Sequence, residues 1–414
     1  MKIGWYSDLT ALERRTYWAC FGGFALDSMD TTIYALVMPV LIAVVGITRP
    51  EAGVLASAAL IGSAVGGWTA GILADRIGRV RVLQMTILWC AATTLVAAFC
   101  SHFGEFMVVR FAQGLGYGGE AAVGGVLISE VVRPALRGRV AASVQAGYAL
   151  GFAVSTALMP VFLNMFPPAI GWRVFFGFGV TPALFIFFIR RLVPESVVFT
   201  DAMARRKKGE EAEAFWRIFA GPHLRNTVTA AIMSTGIFGG AYVMITWLPT
   251  YLRMSLGLPV TQTAGYLALN IIGSLTGPFI YGYVSDAIGR RYAFMLFLVL
   301  QAINVGIFLL APIGPSATIV MSYFLGAFQG GLAAGMLPTF SELFPTALRA
   351  GGQGFCLSGG RGFGSVVPAM VGVLSATVPL GTAMGGCALV SYAVAFVAAS
   401  MMRETIGVNL AEQK

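Results

Sequence analysis

The stretch GILADRIGRVR, residues 71–81, decides the fold because a second copy of it follows in the same chain. The copy, GYVSDAIGRRY, occupies residues 282–292. Five residues recur 211 positions later: Gly71, Asp75, Ile77, Gly78 and Arg79 return as Gly282, Asp286, Ile288, Gly289 and Arg290. A second pair, SEVVRPALRG at 129–138 and SELFPTALRA at 341–350, repeats with an offset of 212. Two motifs at nearly one offset predict that one half of the chain is a copy of the other.

The composition predicts a membrane protein. Of the 414 residues, 57% are hydrophobic and only 11% are charged, whereas soluble domains are about a quarter charged. Apolar runs repeatedly reach the roughly 20 residues that a membrane-spanning helix needs. We therefore expect an all-α membrane protein of two six-helix bundles, 1–192 and 225–414, joined by a charged linker, 193–224. The twelve predicted helices are 17–45, 51–74, 82–101, 105–132, 140–166, 171–192, 225–252, 261–284, 292–312, 316–344, 351–378 and 380–402.

The basic residues indicate topology rather than nucleic-acid binding. The net charge is +9, and 22 of the 27 Lys and Arg residues fall on the side of the membrane that holds both termini. Basic residues concentrate in cytoplasmic loops, so both termini are expected in the cytoplasm. The protein itself is expected in the cell inner membrane. The polar first sixteen residues do not resemble a signal peptide. Five cysteines without a CxxC spacing favour neither a disulfide framework nor a zinc site.

The sequence contains no constellation typical of an enzyme. It has only two histidines and no GxxxxGK[ST] phosphate-binding motif, and the missing motif argues against ATP-driven transport by this chain alone. We expect no cofactor. Two similar halves instead favour a substrate site near the bilayer midplane that opens alternately to each side. A duplicated scaffold without transport is the alternative.

The repeated loops are candidates for a conformational latch at the cytoplasmic face. Gly71 and Gly282 are expected to permit close helix contact, as small residues do in membranes. Asp75 and Asp286 can interact with helix N-termini or basic side chains. Topology anchoring is their simpler role, and both roles are compatible. The expected latch consists of Gly71, Asp75, Arg76, Gly78 and Arg79, with Gly282, Asp286, Gly289 and Arg290 in the second half.

These motifs resemble those of a known family. GxxxDRxGRxR at 71–81, its degenerate copy at 282–292, and RFAQGLGYGGE at 110–120 are similar to major facilitator superfamily motifs, and the resemblance spans essentially the whole chain. It implies twelve helices and a rocker-type transport cycle, with the protein acting as a monomer.

Two acids interrupt the first apolar helix, CFGGFALDSMDTTIYALVMPV at 20–40. Asp27 and Asp30 are three residues apart and therefore share a helix face. Ionisable groups at bilayer depth are expensive and usually serve a cavity or a partner. Burial disfavours the charged carboxylate and a nearby arginine favours it, so a carboxyl poised between these effects can bind and release a proton. The alternative is a structural ion pair, for example with Arg110.

Three further charges are predicted inside helices: Arg110, Glu120 and Arg361. Arg110 either tunes an aspartate of the first helix or lines the pathway as a fixed cation. Glu120 is either a second proton site or a hydrogen-bonded packing residue. Arg361 offers a two-pronged site for a substrate carboxylate, or forms a salt bridge to the other half.

Polar and aromatic residues in the predicted helices complete the candidate cavity. The set that can donate hydrogen bonds there is Tyr34, Gln113, Tyr117, Gln145, Tyr148, Tyr242, Trp247, Asn270, Asn304 and Gln329. For substrate binding we select Arg361 and Arg110 with Gln113, Tyr34, Tyr148 and Tyr242. Most of the other aromatic residues are expected to be packing or interface residues.

The resemblance narrows the expected function. Paired aspartates in the first helix, an arginine in the fourth and an arginine before GFG in the eleventh resemble proton symporters of aromatic acids. GGE at 118–120, PES at 194–196 and WLPTYL at 247–252 resemble the wider group of organic-acid symporters. The sequence DSMD departs from the Asp-Gly-aromatic-Asp pattern of that first group. The expected function is proton-coupled uptake of a small organic carboxylate, an aromatic acid or related monocarboxylate, by alternating access. A drug or cation efflux antiporter, or a non-transporting sensor, is the alternative.

Overall fold

The computed structural model describes residues 4–191, 193–195, 215–311, 314–345 and 348–405, and these residues form helices without strands. The expected all-α membrane fold with twelve helices is confirmed. Nine of the helices in this part of the chain are long and apolar enough to cross a membrane. The helices are α1 (Ala11–Val40), α2 (Arg49–Ile77), α3 (Arg79–Ala97), α4 (Phe103–Val131), α5 (Pro134–Met165), α6 (Pro168–Arg191), α7 (Pro222–Thr250), α8 (Val260–Ile288), α9 (Arg290–Leu310), α10 (Pro315–Glu342), α11 (two pieces, Arg349–Gly364 and Val367–Leu374) and α12 (Leu380–Met401).

The helices group into two compact units. The first contains the described residues of Met1–Ile47 and Ala58–Glu211, and the second those of Thr48–Ser57 and Ala212–Lys414. The first turns of α2 therefore belong to the second unit, where the Ser57 hydroxyl accepts a hydrogen bond from the backbone N–H of Ala369 at 3.0 Å.

The first helix begins earlier than hydropathy predicts. It starts at Ala11 rather than near residue 17, because Thr10 and Glu13 form a reciprocal cap. The Thr10 hydroxyl accepts from the Glu13 backbone N–H at 3.2 Å, and the Glu13 carboxylate accepts from the Thr10 N–H at 2.8 Å. Such a capping box satisfies two N–H groups that the helix itself leaves unpaired.

The eleventh helix is interrupted, whereas the sequence predicted one continuous span over 351–378. Its two pieces meet at Ser365 and Val366. Pro368 explains the break, because proline has no N–H to donate to the carbonyl of Gly364 and its ring would collide with that carbonyl. Arg361 lies in the last turn before the interruption.

The two repeated motifs meet inside each unit. Arg79, from the first motif, forms a salt bridge with Glu130, from the second, at 3.3 Å. The corresponding residues of the other unit, Arg290 and Glu342, approach to 3.6 Å. The same pair of motifs therefore ties three helix ends together in both halves, as a duplicated structural unit would.

A third pair of equivalent residues, Glu195 and Glu404, caps the helices that follow the first motif. Glu195 accepts hydrogen bonds from the backbone N–H groups of Arg79 at 2.9 Å and Val80 at 3.2 Å. Glu404 does the same for Arg290 at 2.9 Å and Arg291 at 3.1 Å. A carboxylate is favoured at the positive N-terminal end of a helix.

The glycines at the start and in the middle of the motif have different surroundings. At Gly71 and Gly282 a side chain would meet no atom within 4 Å, so the close helix contact expected there is not present in this structure. Gly78 and Gly289 instead have φ values of +109° and +98°. Their neighbours are the capping carboxylates, and a side chain at either glycine would overlap the carboxylate of Glu195 or Glu404.

The remaining latch residues are placed as follows. Asp286 forms an ion pair with Arg290 at 2.6 Å, which agrees with its expected interaction with a basic side chain. The side chain of Arg76 is exposed. The side chain of Asp75 lies outside the described part of the structure. Whether these residues latch a conformational state stays a prediction.

We expect Gly289→Ala to destabilise the protein by about 1–3 kcal/mol, because its backbone conformation (φ 98°, ψ 159°) is one that only glycine adopts readily. The added methyl group would also displace Glu404 from the N-terminus of α9. Gly282→Ala, seven residues earlier in an open position, is the matched control. Thermal unfolding in detergent measures both variants. Equal unfolding temperatures for the two would contradict this account of the turn.

Candidate functional site

The first cluster of buried charges lies within the first unit, on α1, α3 and α4. Helix α4 approaches α2 closely, because side chains at Gly114 and Gly118 would collide with the backbone carbonyls of Ala59 and Ser63. The glycines of the segment RFAQGLGYGGE thus allow close packing, as small residues do in membranes. The same helix carries Arg110 and Glu120, which are 2% and 3% exposed.

Arg110 is held in place by neutral partners. Its guanidinium lies over the ring of Tyr34, 4.1 Å from the ring centroid, and donates to Gln113 Oε1 at 3.0 Å. The Gln113 amide in turn donates to Thr94 Oγ1 at 3.1 Å. Arginine stacked on an aromatic face and bonded to an amide is fixed in both position and charge.

Asp30 lies next to this chain of hydrogen bonds. Its carboxylate interacts with the Thr94 side chain and with the positive charge of Arg110. Asp30 and Arg110 form no salt bridge in the described part of the structure. Gln113 and Thr94 connect the two side chains instead. A direct Asp30–Arg110 ion pair is therefore not the arrangement found, and the geometry favours Arg110 as the residue that tunes the aspartate electrostatically.

Glu120 brings a third carboxylate to the same place. Asp27 and Asp30 from α1, Cys90 from α3, and Tyr117 and Glu120 from α4 line one cavity of about 10 Å³. Glu120 also accepts a hydrogen bond from the Thr86 hydroxyl at 3.3 Å. Glu120 is thus a hydrogen-bonded packing residue that also lines a cavity. This placement is compatible with both roles expected from the sequence, a packing residue and a second proton site.

The placement of Arg110, Gln113 and Tyr34 differs from that of a substrate-contacting group. Their side chains are 2%, 0% and 1% exposed, and the amide of Gln113 is engaged on both sides within the unit. In this structure they support the aspartate and do not present polar atoms to a cleft. Tyr148 on α5 is half-buried in the same unit.

The second charged site is Arg361, within the second unit. Its guanidinium lies 5.3 Å from the ring centroid of Phe238 on α7. Phe238 stacks on Tyr242, with centroids 5.7 Å apart and ring planes inclined by 23°. Gly360 and Gly364 bring α11 against α7, because side chains there would collide with Ser234 and the backbone of Gly239.

The side chain of Arg361 forms no hydrogen bond or ion pair with any residue that the structure describes, and its one recorded contact is with the Phe238 ring. Its side chain is half-buried, next to the interruption of α11. Interrupted membrane helices recur at the binding sites of transporters, where freed backbone groups and side chains contact the substrate. An unengaged guanidinium beside two stacked rings can bind a carboxylate attached to a planar group.

Comparisons with known proteins identify the family. The profile of the Major Facilitator Superfamily matches residues 20–367. The chain belongs to the Major Facilitator Superfamily. It is therefore a membrane transporter and not an enzyme, and the resemblance of its loop motifs is confirmed.

Relatives within the family carry organic acids and related compounds. The chain is 35% identical over 413 residues, 99% of its length and 94% of the relative's, to a Cupriavidus pinatubonensis protein described as "Probable 4-methylmuconolactone transporter". It is 28% identical to the 4-hydroxybenzoate transporter of Pseudomonas aeruginosa, covering 88% of this chain and 86% of that one. The xylose transporter XylE from E. coli shares the fold, with a TM-score of 0.75 and 18% identity over 96% of this chain and 98% of XylE.

Several residues of both sites were missed by the sequence. Thr94, Thr86 and Phe238 are the partners of Asp30, Glu120 and Arg361, yet none is ionisable and none stands out among the apolar helices. One signal was available for Phe238. It precedes Tyr242 by four residues, a spacing that stacks two rings on one helix face.

Proposed function

We propose that the chain is a proton-coupled symporter that brings a small organic carboxylate, an aromatic acid or related monocarboxylate, into the cell. The observation that carries this proposal is Arg361, a half-buried guanidinium beside the stacked rings of Phe238 and Tyr242. Charge-assisted, two-pronged hydrogen bonds suit a carboxylate, and the aromatic faces suit a planar body.

The relatives support the same class of substrate. One is described by 4-methylmuconolactone and another by 4-hydroxybenzoate, both small, oxygenated and planar or cyclic. Among the described residues of the second unit, Arg361 is the one arginine beside stacked rings, which favours one carboxylate per substrate.

The acidic cluster supports proton coupling. Asp27, Asp30 and Glu120 line one small cavity, and Asp30 and Glu120 are almost completely enclosed. No group of three acidic, cysteine or histidine side chains in the described residues is arranged to hold a metal ion. A proton needs one carboxyl and no coordination shell, so this group of acids is suited to bind one.

The proposed cycle begins with a proton on Asp27 or Asp30 in the outward-facing state. The anion then binds Arg361, the halves rock, and both ligands leave on the cytoplasmic side. Coupling follows if the empty and fully loaded carriers change state readily while half-loaded carriers do not. The protein then resides in the inner membrane as a monomer with both termini in the cytoplasm, as the distribution of basic residues supports.

An efflux antiporter is the second candidate, with the acids as ligands for a cationic substrate. The enclosure of Asp30 and Glu120, at 6% and 3% exposure, argues against that role, because a drug-sized cation needs acids that line an open pocket. A non-transporting sensor on the same scaffold is the third candidate, and it would bind ligand without flux.

Counterflow in proteoliposomes tests the proposal. Vesicles loaded with an unlabelled carboxylate are diluted into trace labelled carboxylate, using a panel of benzoates, nicotinate, muconolactones, lactate and sialate, with lipophilic cations as the comparison set. We expect transient accumulation for one or more planar monocarboxylates and none for the cations. The proposal would be overturned if lipophilic cations were exchanged and no carboxylate of the panel was. Ligand binding without any exchange would indicate a sensor.

A further inference from the structure

The cavity among the carboxylates contains two polar atoms without protein partners. Oδ1 of Asp30 and the hydroxyl of Tyr117 make no hydrogen bond with any described residue, although both side chains are more than nine-tenths buried. Both line the same cavity of about 10 Å³. This is the space that one water molecule needs, and a stable buried water also needs two to four polar partners. The side chains of Asp30, Tyr117, Asp27 and Glu120 are the polar partners that this cavity provides for a water.

Tyr117 lines this cavity together with all three acids. It precedes Glu120 by three residues on α4, so the two side chains share a helix face. Its other electrostatic neighbours are Asp30 and Asp27 from α1, Cys90 from α3 and Arg110 from its own helix. From α6 the position that faces Asp30 Oδ1 is Gly179, which brings no charge. The phenol therefore shares one cavity with the acid of α4 and with those of α1.

We propose that Tyr117 and one water bound in this cavity form a proton relay between Glu120 and Asp30. A proton held by one carboxyl passes to the water oxygen. The water releases one of its own protons to the other carboxylate, directly or by way of the Tyr117 hydroxyl, which gives up its proton as it accepts another. Water and phenol return to their starting composition, so one proton moves and nothing is consumed. The relay rests on the proposed proton-coupled function, and the Tyr117 hydroxyl takes part in it as a hydrogen-bonding and proton-passing group.

Tyr117→Phe tests the relay, because it removes one oxygen and leaves the ring. We expect proton-driven accumulation to slow by about tenfold or more, since general acid–base groups contribute at least that much to proton transfer. Counterflow, which needs no net proton movement, should continue at a rate close to that of the wild type. Tyr266→Phe is the matched control, because its hydroxyl bonds to the Pro315 carbonyl in the other unit.

The outcomes separate the relay from other roles. Unchanged accumulation in Tyr117→Phe, or an equal loss of accumulation and counterflow, would overturn it, the second result indicating a structural role. A wild-type protein that exchanges substrate but never accumulates it under a proton gradient would instead overturn the proposed function. Difluorotyrosine at position 117 keeps the fold in a second test. Its stronger hydrogen-bond donor should move the pH profile of accumulation to lower pH, and an unmoved profile contradicts the relay.

A separate observation concerns an apolar groove on the second unit, between α7 and α12. The groove has a volume of about 420 Å³ and is lined by side chains that include Val228, Ile232, Val394, Val397 and Met401. Val397 and Met401 are more than half exposed, so the described residues leave them largely uncovered. The groove joins the beginning of α7 to the end of α12, which places it near one membrane surface.

Two exposed arginines lie close in sequence to side chains that line this groove. Arg225 precedes Val228 by three residues on α7 and shares its face, and Arg403 lies two residues beyond the end of α12. Neither forms an ion pair or hydrogen bond within the described ranges. The acid next to Arg403, Glu404, is engaged by the backbone of α9. The groove is thus apolar at bilayer depth and positive at its rim.

We infer that this groove binds one anionic phospholipid, with an acyl chain along α7 and α12 and the phosphate at Arg225 and Arg403. Basic residues at the cytoplasmic end of transmembrane helices attract anionic headgroups. The purified protein should unfold at a higher temperature with phosphatidylglycerol than with phosphatidylcholine of the same chains. The double variant Arg225→Gln/Arg403→Gln should lose that difference, whereas Arg81→Gln, another exposed arginine, should keep it.

Two results would overturn the lipid site. Equal stabilisation by both lipids would reduce the groove to ordinary contact with the bilayer. Crosslinking of two copies through cysteines placed at Val394 would assign it to a second copy of this chain. Val394→Trp, which fills the groove, should lower the stabilisation by phosphatidylglycerol, and an unchanged effect would also contradict the site.

Discussion

Arg361→Ala is expected to weaken substrate binding by about 3 kcal/mol, roughly 100-fold in affinity, because truncating one partner of an enclosed charge pair costs that much. The guanidinium lies against Phe238 and has no acid partner in the described part of the chain, so its loss leaves the protein's own ion pairs intact. Calorimetry measures the affinity for substrate, and the unfolding temperature without ligand measures the stability of the protein. We expect the affinity to fall and the unfolding temperature to change little.

Arg361→Lys is the control for this prediction. Lysine keeps the positive charge but loses the planar pair of donors and the stacking on Phe238. An intermediate affinity is expected. Affinity for the carboxylate that is unchanged in Arg361→Ala would remove Arg361 from the binding site, and an equally large fall in ligand-free stability would make it a structural residue.

Asp30→Asn is expected to abolish accumulation against a gradient while sparing exchange. The amide matches the carboxyl in shape but cannot carry a proton, and it keeps a hydrogen-bonding group beside Thr94. A carrier that no longer needs the proton equilibrates its substrate across the membrane and does not concentrate it. Labelled uptake with an imposed pH gradient, alongside counterflow in the same vesicles, measures both modes.

Asp27→Asn and Glu120→Gln complete that experiment, since all three acids line one cavity. The acid whose loss stops accumulation and spares exchange is the coupling residue. Normal accumulation by both Asp27→Asn and Asp30→Asn would move the coupling role to Glu120. Normal accumulation by all three variants would remove the acidic cluster from the mechanism.

The sequence was sufficient for the fold because its signals are local or repeated. Apolar length defined the helices, and the copies of one loop at 71–81 and 282–292 revealed the duplication. The interruption of α11 was missed because a single proline can also sit in a continuous membrane helix, as Pro338 does in α10. Only the packing around Pro368 decides between the two.

The site was predicted in its charges but not in its partners. Acids and arginines in apolar helices are costly, so Asp27, Asp30, Glu120 and Arg361 stand out without a structure. The residues that contact these charges depend on how each helix is rotated about its axis and on which helices pack against it. The sequence determines neither. Gln113 illustrates this limit, because the sequence alone did not show its two hydrogen bonds, to Arg110 and Thr94.

The capping carboxylates show a similar limit at the cytoplasmic ends. Glu195 and Glu404 are 209 positions apart, close to the offsets of the two recognised motifs, yet PES and RET share too few letters to register as a repeat. Their equivalence is visible only in the structure, where both carboxylates accept hydrogen bonds from the first backbone N–H groups of the following helices. It strengthens the view that each half was built on one plan.

Simultaneous measurement of proton and substrate movement tests the central claim most directly. Proteoliposomes without an imposed gradient, containing a pH-sensitive dye, receive an external planar monocarboxylate that supports counterflow. We predict that the interior of wild-type vesicles acidifies in step with substrate entry, and that Asp30→Asn vesicles take up substrate without this signal. Substrate entry into wild-type vesicles with no acidification, or with alkalinisation, would contradict proton symport.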